Sequence, residues 1–310
     1  MTVRCAPIPG RKRALEVLAG AALAAAMVAT AAAAAEGPID WVALDPDFEG
    51  ATYVRDDTVC ATCHEDYMEA YAQTRHARAF RLGGKAGDCE SCHGPRSQHV
   101  EEPGDDLAFS ALAPAQQSAV CMQCHQGGAL ASFKSGPHHT GEVSCASCHH
   151  VMERRSEQAL LIADSTSEAC LGCHTEVQGR LYRSSHHPVR EGRMDCASCH
   201  DPHGAKPSLL RASSVSEACV TCHTEKRGPF LWEHAPVRES CANCHDPHGS
   251  NNRKLLVKKD AFLCLQCHSY GGHINLPRYN RTSNPYGEGC VNCHLAVHGS
   301  NHPSGAKLTR

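Results

Sequence analysis

Apolar residues are concentrated near the N-terminus, in an alanine-, leucine- and valine-rich run from about Leu18 to Val28. Arg11, Lys12 and Arg13 precede the run, and a string of alanines follows it up to Ala35. This order of basic, apolar and small residues is typical of a secretory signal. The run is also shorter than the ~20 residues that a membrane span needs. We therefore predict a signal peptide over residues 1–35 and an exported protein; the alternative is an uncleaved membrane anchor.

Beyond residue 35 no segment has the length and apolarity of a transmembrane helix. This part contains only three isoleucines, and aromatic residues make up 5% of the whole chain. A chain of this length normally buries a large aliphatic core. The pattern predicts short α-helices and irregular loops with little or no β-sheet. Such a chain must wrap around something other than its own side chains.

A Cys-x-x-Cys pair followed at once by His occurs ten times and uses 20 of the 21 cysteines. This is the attachment motif of c-type haem, in which two thiols bond the porphyrin and the histidine binds its iron. Zinc sites and disulfides also use paired cysteines, but they do not require a histidine directly after every pair. The sequence therefore predicts ten covalently bound c-type haems. The thioether cysteines are Cys60, Cys63, Cys89, Cys92, Cys121, Cys124, Cys145, Cys148, Cys170, Cys173, Cys196, Cys199, Cys219, Cys222, Cys241, Cys244, Cys264, Cys267, Cys290 and Cys293.

The ten motifs form five two-haem repeats, whose first cysteines are 61, 49, 49 and 45 residues apart. We call the repeats units 1 to 5. Ser-Glu-Ala precedes both Cys170 and Cys219, which suits a serine N-cap that opens a short helix. Asp-Pro-His-Gly follows both His200 and His245 and suits a chain turn. We predict a decahaem domain over residues 60–310, with residues 36–59 as an N-terminal lead-in.

The chain has 23 histidines, enough to supply two axial ligands to each of ten irons. The proximal set, one in each motif, is His64, His93, His125, His149, His174, His200, His223, His245, His268 and His294. Each unit also has a histidine between its motifs and another soon after its second motif. These predicted distal ligands are His76, His99, His138, His150, His186, His203, His234, His248, His273 and His298. His139 and His187 are alternatives to their neighbours, and His150 and His273 fit the repeat least regularly.

The short spacing between His200 and His203 makes it hard for both to grip opposite faces of one iron. We therefore expect His203, and likewise His248, to ligate a neighbouring haem. Methionine ligation would raise the reduction potential of a haem. After residue 35 there are only four methionines, whereas histidine is abundant. The sequence thus predicts bis-histidine ligation throughout, with no open iron site for a substrate.

Residues 1–35 contain four basic residues and one acidic residue, which leaves 26 basic and 32 acidic residues, a balance of −6. The haem propionates would add further negative charge. A nucleic-acid partner is therefore not expected.

The motif number, their pairing, the distal histidines and the signal segment together resemble the MtrA/DmsE family of decahaem c-type cytochromes over about residues 60–310. The resemblance implies an elongated row of haems that crosses the outer membrane inside a porin-type β-barrel partner. It also implies partnership with other periplasmic and extracellular cytochromes, in metal reduction or ferrous iron oxidation. A chain without an apolar surface needs such an enclosure to cross a bilayer.

The leading hypothesis is an electron-transfer protein of this type, located in the periplasm and associated with the outer membrane. A soluble periplasmic electron shuttle is the alternative. A multihaem oxyanion reductase is a further one, but it needs a five-coordinate haem, and all ten motifs here end in histidine.

Overall fold

The computed structural model describes residues 39–82, 88–104, 108–268, 289–303 and 305–309. Its α-helices are short, between four and nine residues. In chain order they are α1 (Trp41–Leu44), α2 (Asp57–Ala61), α3 (Glu65–Ala72), α4 (Arg75–Leu82), α5 (Asp88–His93), α6 (Ser97–Glu101), α7 (Pro114–Met122), α8 (Pro137–Thr140), α9 (Thr166–Leu171), α10 (Thr175–Leu181), α11 (Val215–Val220), α12 (Ala235–Glu239) and α13 (Asp260–Cys264).

Short 3₁₀ segments and loops connect these helices. The 3₁₀ segments are Pro46–Phe48, Phe109–Ala111, Gly128–Ser135, Cys145–Ser147, Cys196–Ser198, Thr224–Lys226, Cys241–Asn243, Arg253–Leu255, Cys290–Asn292 and Gly305–Lys307. Over the described ranges there is no strand of a sheet, only five isolated antiparallel bridges. The predicted fold class of short helices and loops is confirmed.

No helix in the described ranges is both long enough and apolar enough to cross a membrane.

Apolar burial is sparse, as the composition predicts. The main cluster joins Trp41, Phe48 and Val120, with Phe109 and Leu112 against it. The first residues of the lead-in therefore pack against unit 1 and α7. Gly94 lies under this cluster with φ +75°, and a Cβ there would lie 2.6 Å from the Phe48 ring. Only glycine fits so close an approach.

The short helices that carry the first motifs of units 3 and 4 begin at serine N-caps. Ser165 Oγ accepts from Glu168 N at 3.2 Å, and Ser214 Oγ accepts from Glu217 N at 3.1 Å. The caps lie two residues before the serines of the repeated Ser-Glu-Ala. Of those two, Ser216 instead accepts from Cys241 N at 3.3 Å, which links the two motifs of one unit.

Candidate haem-binding site

Each motif folds into a tight turn that gathers its functional side chains. In nine motifs the histidine N–H donates to the carbonyl of the first cysteine at 2.9 to 3.1 Å. The motif that starts at Cys89 lies in α5 instead. In the second motifs of units 2 to 5 the turn is a 3₁₀ segment that starts at the first cysteine. Two thiols and one imidazole are thus held within a single turn, as covalent attachment to one porphyrin requires.

Cysteines of successive motifs lie next to one another along the whole described chain. Within each unit the first cysteines of the two motifs interact, at Cys60–Cys89, Cys121–Cys145, Cys170–Cys196, Cys219–Cys241 and Cys264–Cys290. Between units the interacting pairs are Cys92–Cys121, Cys148–Cys173, Cys199–Cys222 and Cys244–Cys267. At each of the nine steps from motif to motif, two cysteines are therefore close enough to interact electrostatically, and the attachment points follow one another in chain order.

The paired thiols perturb one another electrostatically. A hydrogen bond from Cys121 lowers the pKa of Cys145 to about 6, and the same hydrogen bond together with burial raises the pKa of Cys121. The Cys170 thiol likewise lowers the pKa of Cys196 to about 6. Burial and the neighbouring Cys241 raise the pKa of Cys219 to about 11. One thiol of such a pair ionises readily only while its neighbour stays protonated.

Eight motif histidines face a second histidine, with ring centroids 5.9 to 6.4 Å apart. The pairs are His64–His99, His125–His76, His174–His138, His149–His203, His223–His187, His200–His248, His268–His234 and His245–His298. Two imidazoles on one metal, each bonded at about 2 Å, have ring centroids about 6 Å apart. The observed separations therefore fit an iron between the two rings.

The Nδ1 atoms of many of these rings are held by backbone carbonyls. His149, His200, His245 and His294 bond Ala159 O, Ser208 O, Lys254 O and Lys307 O at 2.6 to 3.0 Å. Of the facing histidines, His138, His187 and His234 bond Pro202 O, Pro247 O and Val297 O at 2.8 to 3.0 Å. Such bonds orient metal-ligating histidines and leave Nε2 for the metal. The residues present thus fit a bis-histidine haem.

The facing pairs follow a rule that links consecutive units. The histidine between the motifs of one unit faces the first motif of the next unit, as His138 faces His174. The histidine after a second motif faces the second motif of the preceding unit, as His203 faces His149 and His248 faces His200. Thus His203 and His248 face neighbouring motifs rather than their own. His99, which faces His64 in its own unit, departs from the rule.

Two preferences from the sequence do not match this geometry. His187, rather than His186, faces His223. Both ring nitrogens of His186 are engaged elsewhere, Nδ1 with Arg183 O at 2.7 Å and Nε2 with Glu191 at 3.2 Å. The sequence alignment of His186 with His234 missed this because the choice is made by Pro247 O, 60 residues away.

His150 also does not face a motif histidine, and its Nε2 lies 3.9 Å from Glu153. Of the other doublet, His138 faces His174, while His139 lies against the Phe133 ring at 5.5 Å. The predicted ligand His273 lies outside the described residues.

His93 is set apart from the eight paired motif histidines. Within the described ranges no second histidine ring faces it; its ring neighbour is Phe109, at 6.2 Å. The surrounding pocket is lined mainly by apolar side chains, including Trp41, Phe48 and Leu112. Burial lowers the pKa of His93 to about 4, so the ring is neutral and able to act as a metal ligand.

Comparison with known families identifies motif-bearing segments across much of the chain. The doubled CXXCH motif family matches residues 186–228 and 234–273. The NrfB-like c-type cytochrome family matches residues 89–166, and the cytochrome c554 and c-prime family matches residues 59–88. Together the matched segments reach into all five units.

Among individual proteins, the chain is similar to the multihaem cytochrome MtrA of Shewanella baltica, with 38% identity over 269 residues. That match covers 81% of this chain and 80% of the relative. The polyhaem cytochrome OmcC of Geobacter sulfurreducens is 25% identical over 48% of this chain and 21% of its own length. The cytochrome c-type protein NrfB of Haemophilus influenzae is 30% identical over 31% of this chain and 48% of its own length.

Proposed function

Since the chain belongs to the MtrA family of multihaem c-type cytochromes, which are electron-transfer proteins, we propose that it carries ten c-type haems and passes electrons along them. The observation that carries this proposal is the unbroken succession of neighbouring motif cysteines over all nine steps. Haems attached at these cysteines would follow one another as near neighbours. An electron then crosses the molecule in short steps rather than one long one.

The facing pairs support a ligand set for eight of these haems. Counting haems by motif order, the distal ligands are His99 for haem 1, His76 for haem 3, His203 for haem 4, His138 for haem 5, His248 for haem 6, His187 for haem 7, His298 for haem 8 and His234 for haem 9. His187 here replaces the sequence preference for His186. Because seven of these eight distal ligands come from an adjacent unit, seven of the haems would each tie two units together.

The haem iron supplies a one-electron redox centre when bound. The contribution of the chain is to fix its environment. Backbone carbonyls hold the imidazoles, as Ser208 O holds His200 and Pro247 O holds His187. At the eight motifs with a facing pair, the two histidines would together hold the iron and leave it no position for a substrate. This arrangement favours electron conduction over reaction chemistry.

We further propose that the row of haems crosses the outer membrane inside a porin-type β-barrel partner and exchanges electrons with periplasmic and extracellular cytochromes. The relationship to the MtrA family supports this role. The signal segment over residues 1–35 supports export. The excess of acidic residues beyond it makes a basic docking surface on a partner cytochrome suitable.

The haem count is tested by intact mass of the purified protein together with peptide mapping of the attachment cysteines. We expect ten haems, each on one Cys-x-x-Cys-His motif. A motif whose peptide carries free thiols in the purified protein would contradict the count at that position.

The conduit role is tested by mild-detergent extraction of outer membranes, with the haem-stained band followed through native gels. We expect co-migration with a β-barrel protein close to one to one. A band confined to the soluble periplasmic fraction would contradict the conduit and leave the soluble shuttle as the function.

A further inference from the structure

Haem 2, attached at Cys89 and Cys92, lacks a facing histidine for its proximal ligand His93 among the described residues. The only histidine outside the described ranges is His273, in unit 5. The pairing rule predicts which segment of the chain faces His93. The proximal histidines in the second motifs of units 2, 3 and 4 each face a histidine of the next unit. This histidine comes shortly after the second motif of that unit, and the three are His203, His248 and His298. By the same rule, the residue that faces His93, in the second motif of unit 1, comes shortly after the second motif of unit 2.

Matching backbone hydrogen bonds show how the loops after the second motifs of units 2, 3 and 4 align, residue by residue. In unit 3, His200 Nδ1 bonds Ser208 O and Asp201 N donates to Leu209 O. In unit 4, His245 Nδ1 bonds Lys254 O and Asp246 N donates to Leu255 O. In unit 2, His149 Nδ1 bonds Ala159 O at 2.7 Å and His150 N donates to Leu160 O at 2.7 Å.

The carbonyl acceptor has a left-handed conformation in all three loops, with φ +51° at Leu160, +50° at Leu209 and +59° at Leu255. His150 therefore corresponds to Asp201 and Asp246, the residues directly after the motif histidine. Two positions further on, His203 and His248 correspond to Met152.

The corresponding aspartates also argue against His150 as the ligand. Asp201 and Asp246 fold back on their own loops, where each carboxylate accepts a backbone N–H two residues on, at 3.1 Å. The other carboxylate oxygen of Asp246 also pairs with Arg180 of unit 3, at 3.4 Å. His150 is likewise directed to its own loop, since its Nε2 lies 3.9 Å from Glu153. The residue after Met152, Glu153, is paired with Arg155 at 3.0 Å.

We propose that Met152 is the sixth ligand of haem 2, so that one haem of the row has histidine–methionine ligation while the eight with facing pairs are bis-histidine. The thioether sulfur of methionine is an established axial ligand of c-type haem, and it raises the reduction potential relative to a second histidine. The apolar pocket of Trp41, Phe48, Phe109 and Leu112 acts in the same direction, because burial in a low-polarity environment disfavours the more highly charged ferric state.

The consequence is a row that is not uniform in potential. Haem 2 lies one step from the N-terminal end and accepts an electron more readily than its bis-histidine neighbours. Electrons therefore reside longest at this haem, which sets a preferred resting point near one end of the row.

The test uses spectroscopy and redox titration of the full haem-loaded protein. In the ferric wild type we expect the weak red-region charge-transfer band of sulfur-bound iron and the matching near-infrared magnetic circular dichroism, at an intensity of one haem in ten. In the redox titration, one tenth of the haem should be reduced at a higher potential than the rest.

Met152→His should abolish the band, keep the iron low-spin and move that tenth of the titration to the lower-potential group. Met152→Ala should abolish the band and convert one haem in ten to high spin. Met194→Leu is the matched control, at another partly buried methionine. We expect both Met194→Leu and His150→Ala to leave the charge-transfer band and the redox titration unchanged.

The inference rests on the proposed haem at motif 2 but not on the conduit role. A wild-type protein that carries ten haems by mass but lacks the band overturns the assignment and leaves the haem count intact. A high-spin haem in His150→Ala also overturns it, in favour of His150. Free thiols at Cys89 and Cys92 would instead contradict the haem count, and this inference with it.

Discussion

The choice between two adjacent histidines gives a sharp test of the ligand set. His187 faces His223 with ring centroids 6.4 Å apart, and its Nδ1 is held by Pro247 O at 2.8 Å, which leaves Nε2 free to bind iron. His186 has no nitrogen left, because Arg183 O and Glu191 engage both. The Glu191 carboxylate raises the pKa of His186, which favours a protonated ring that cannot ligate a metal.

We therefore compare His187→Ala with His186→Ala in the haem-loaded protein. Since His187 faces one motif histidine among ten motifs, its loss should convert one tenth of the total iron from low to high spin. His186→Ala should produce no high-spin iron, because it removes only the hydrogen bonds to Arg183 O and Glu191, neither of which involves a motif histidine.

The assay is quantitative electron paramagnetic resonance of the ferric protein, with the high-spin signal integrated against total haem iron. If one tenth of the iron became high-spin in His186→Ala while His187→Ala stayed unchanged, His186 rather than His187 would be the ligand of haem 7. High-spin fractions well above one tenth in His187→Ala would show that the pairs are not independent, and would contradict the one-to-one assignment.

Three further predictions concern stability and folding. Gly94→Ala should destabilise the protein by about 1–3 kcal/mol, because it combines φ +75° with a Cβ 2.6 Å from the Phe48 ring; Gly127→Ala, which meets nothing within 4 Å, is the control in thermal melts followed by circular dichroism. Ser214→Ala removes the N-cap of α11 and should cost about 1 kcal/mol, whereas the adjacent exposed Ser213→Ala should be neutral in the same melts. The chain expressed without haem attachment should show no cooperative unfolding transition, since haem takes the place of an aliphatic core; a sharp melt of the haem-free chain would contradict this.

The sequence alone could predict what each motif binds but not how the motifs are arranged. Cys-x-x-Cys-His carries its chemistry within five residues, so the attachment cysteines, the proximal histidines and the short-helix fold class follow directly from it. The pairing of rings is a long-range property. His138 and His174 meet across two units, and nothing local to either one specifies the other.

Adjacent histidines, and a position where the repeat has no histidine, were the hardest to interpret from the sequence, because ring pairing depends on residues that are distant in the chain. Choosing between His186 and His187 needs the carbonyl of Pro247 in the next unit. The place of Met152 was visible in the sequence, since Cys145-Ala-Ser-Cys-His-His-Val-Met aligns with Cys196-Ala-Ser-Cys-His-Asp-Pro-His. Its significance required the unit-to-unit pairing rule, which only the fold reveals.

The most direct test of the account is electron transfer across a sealed bilayer. The protein would be reconstituted with its co-purified barrel partner into liposomes that contain a redox dye, and a membrane-impermeant reductant would be added outside. We expect rapid dye reduction that requires both proteins and is absent with the barrel alone. Dye that stays oxidised, although both proteins are inserted and all ten haems are reduced from outside, would contradict conduction along the row.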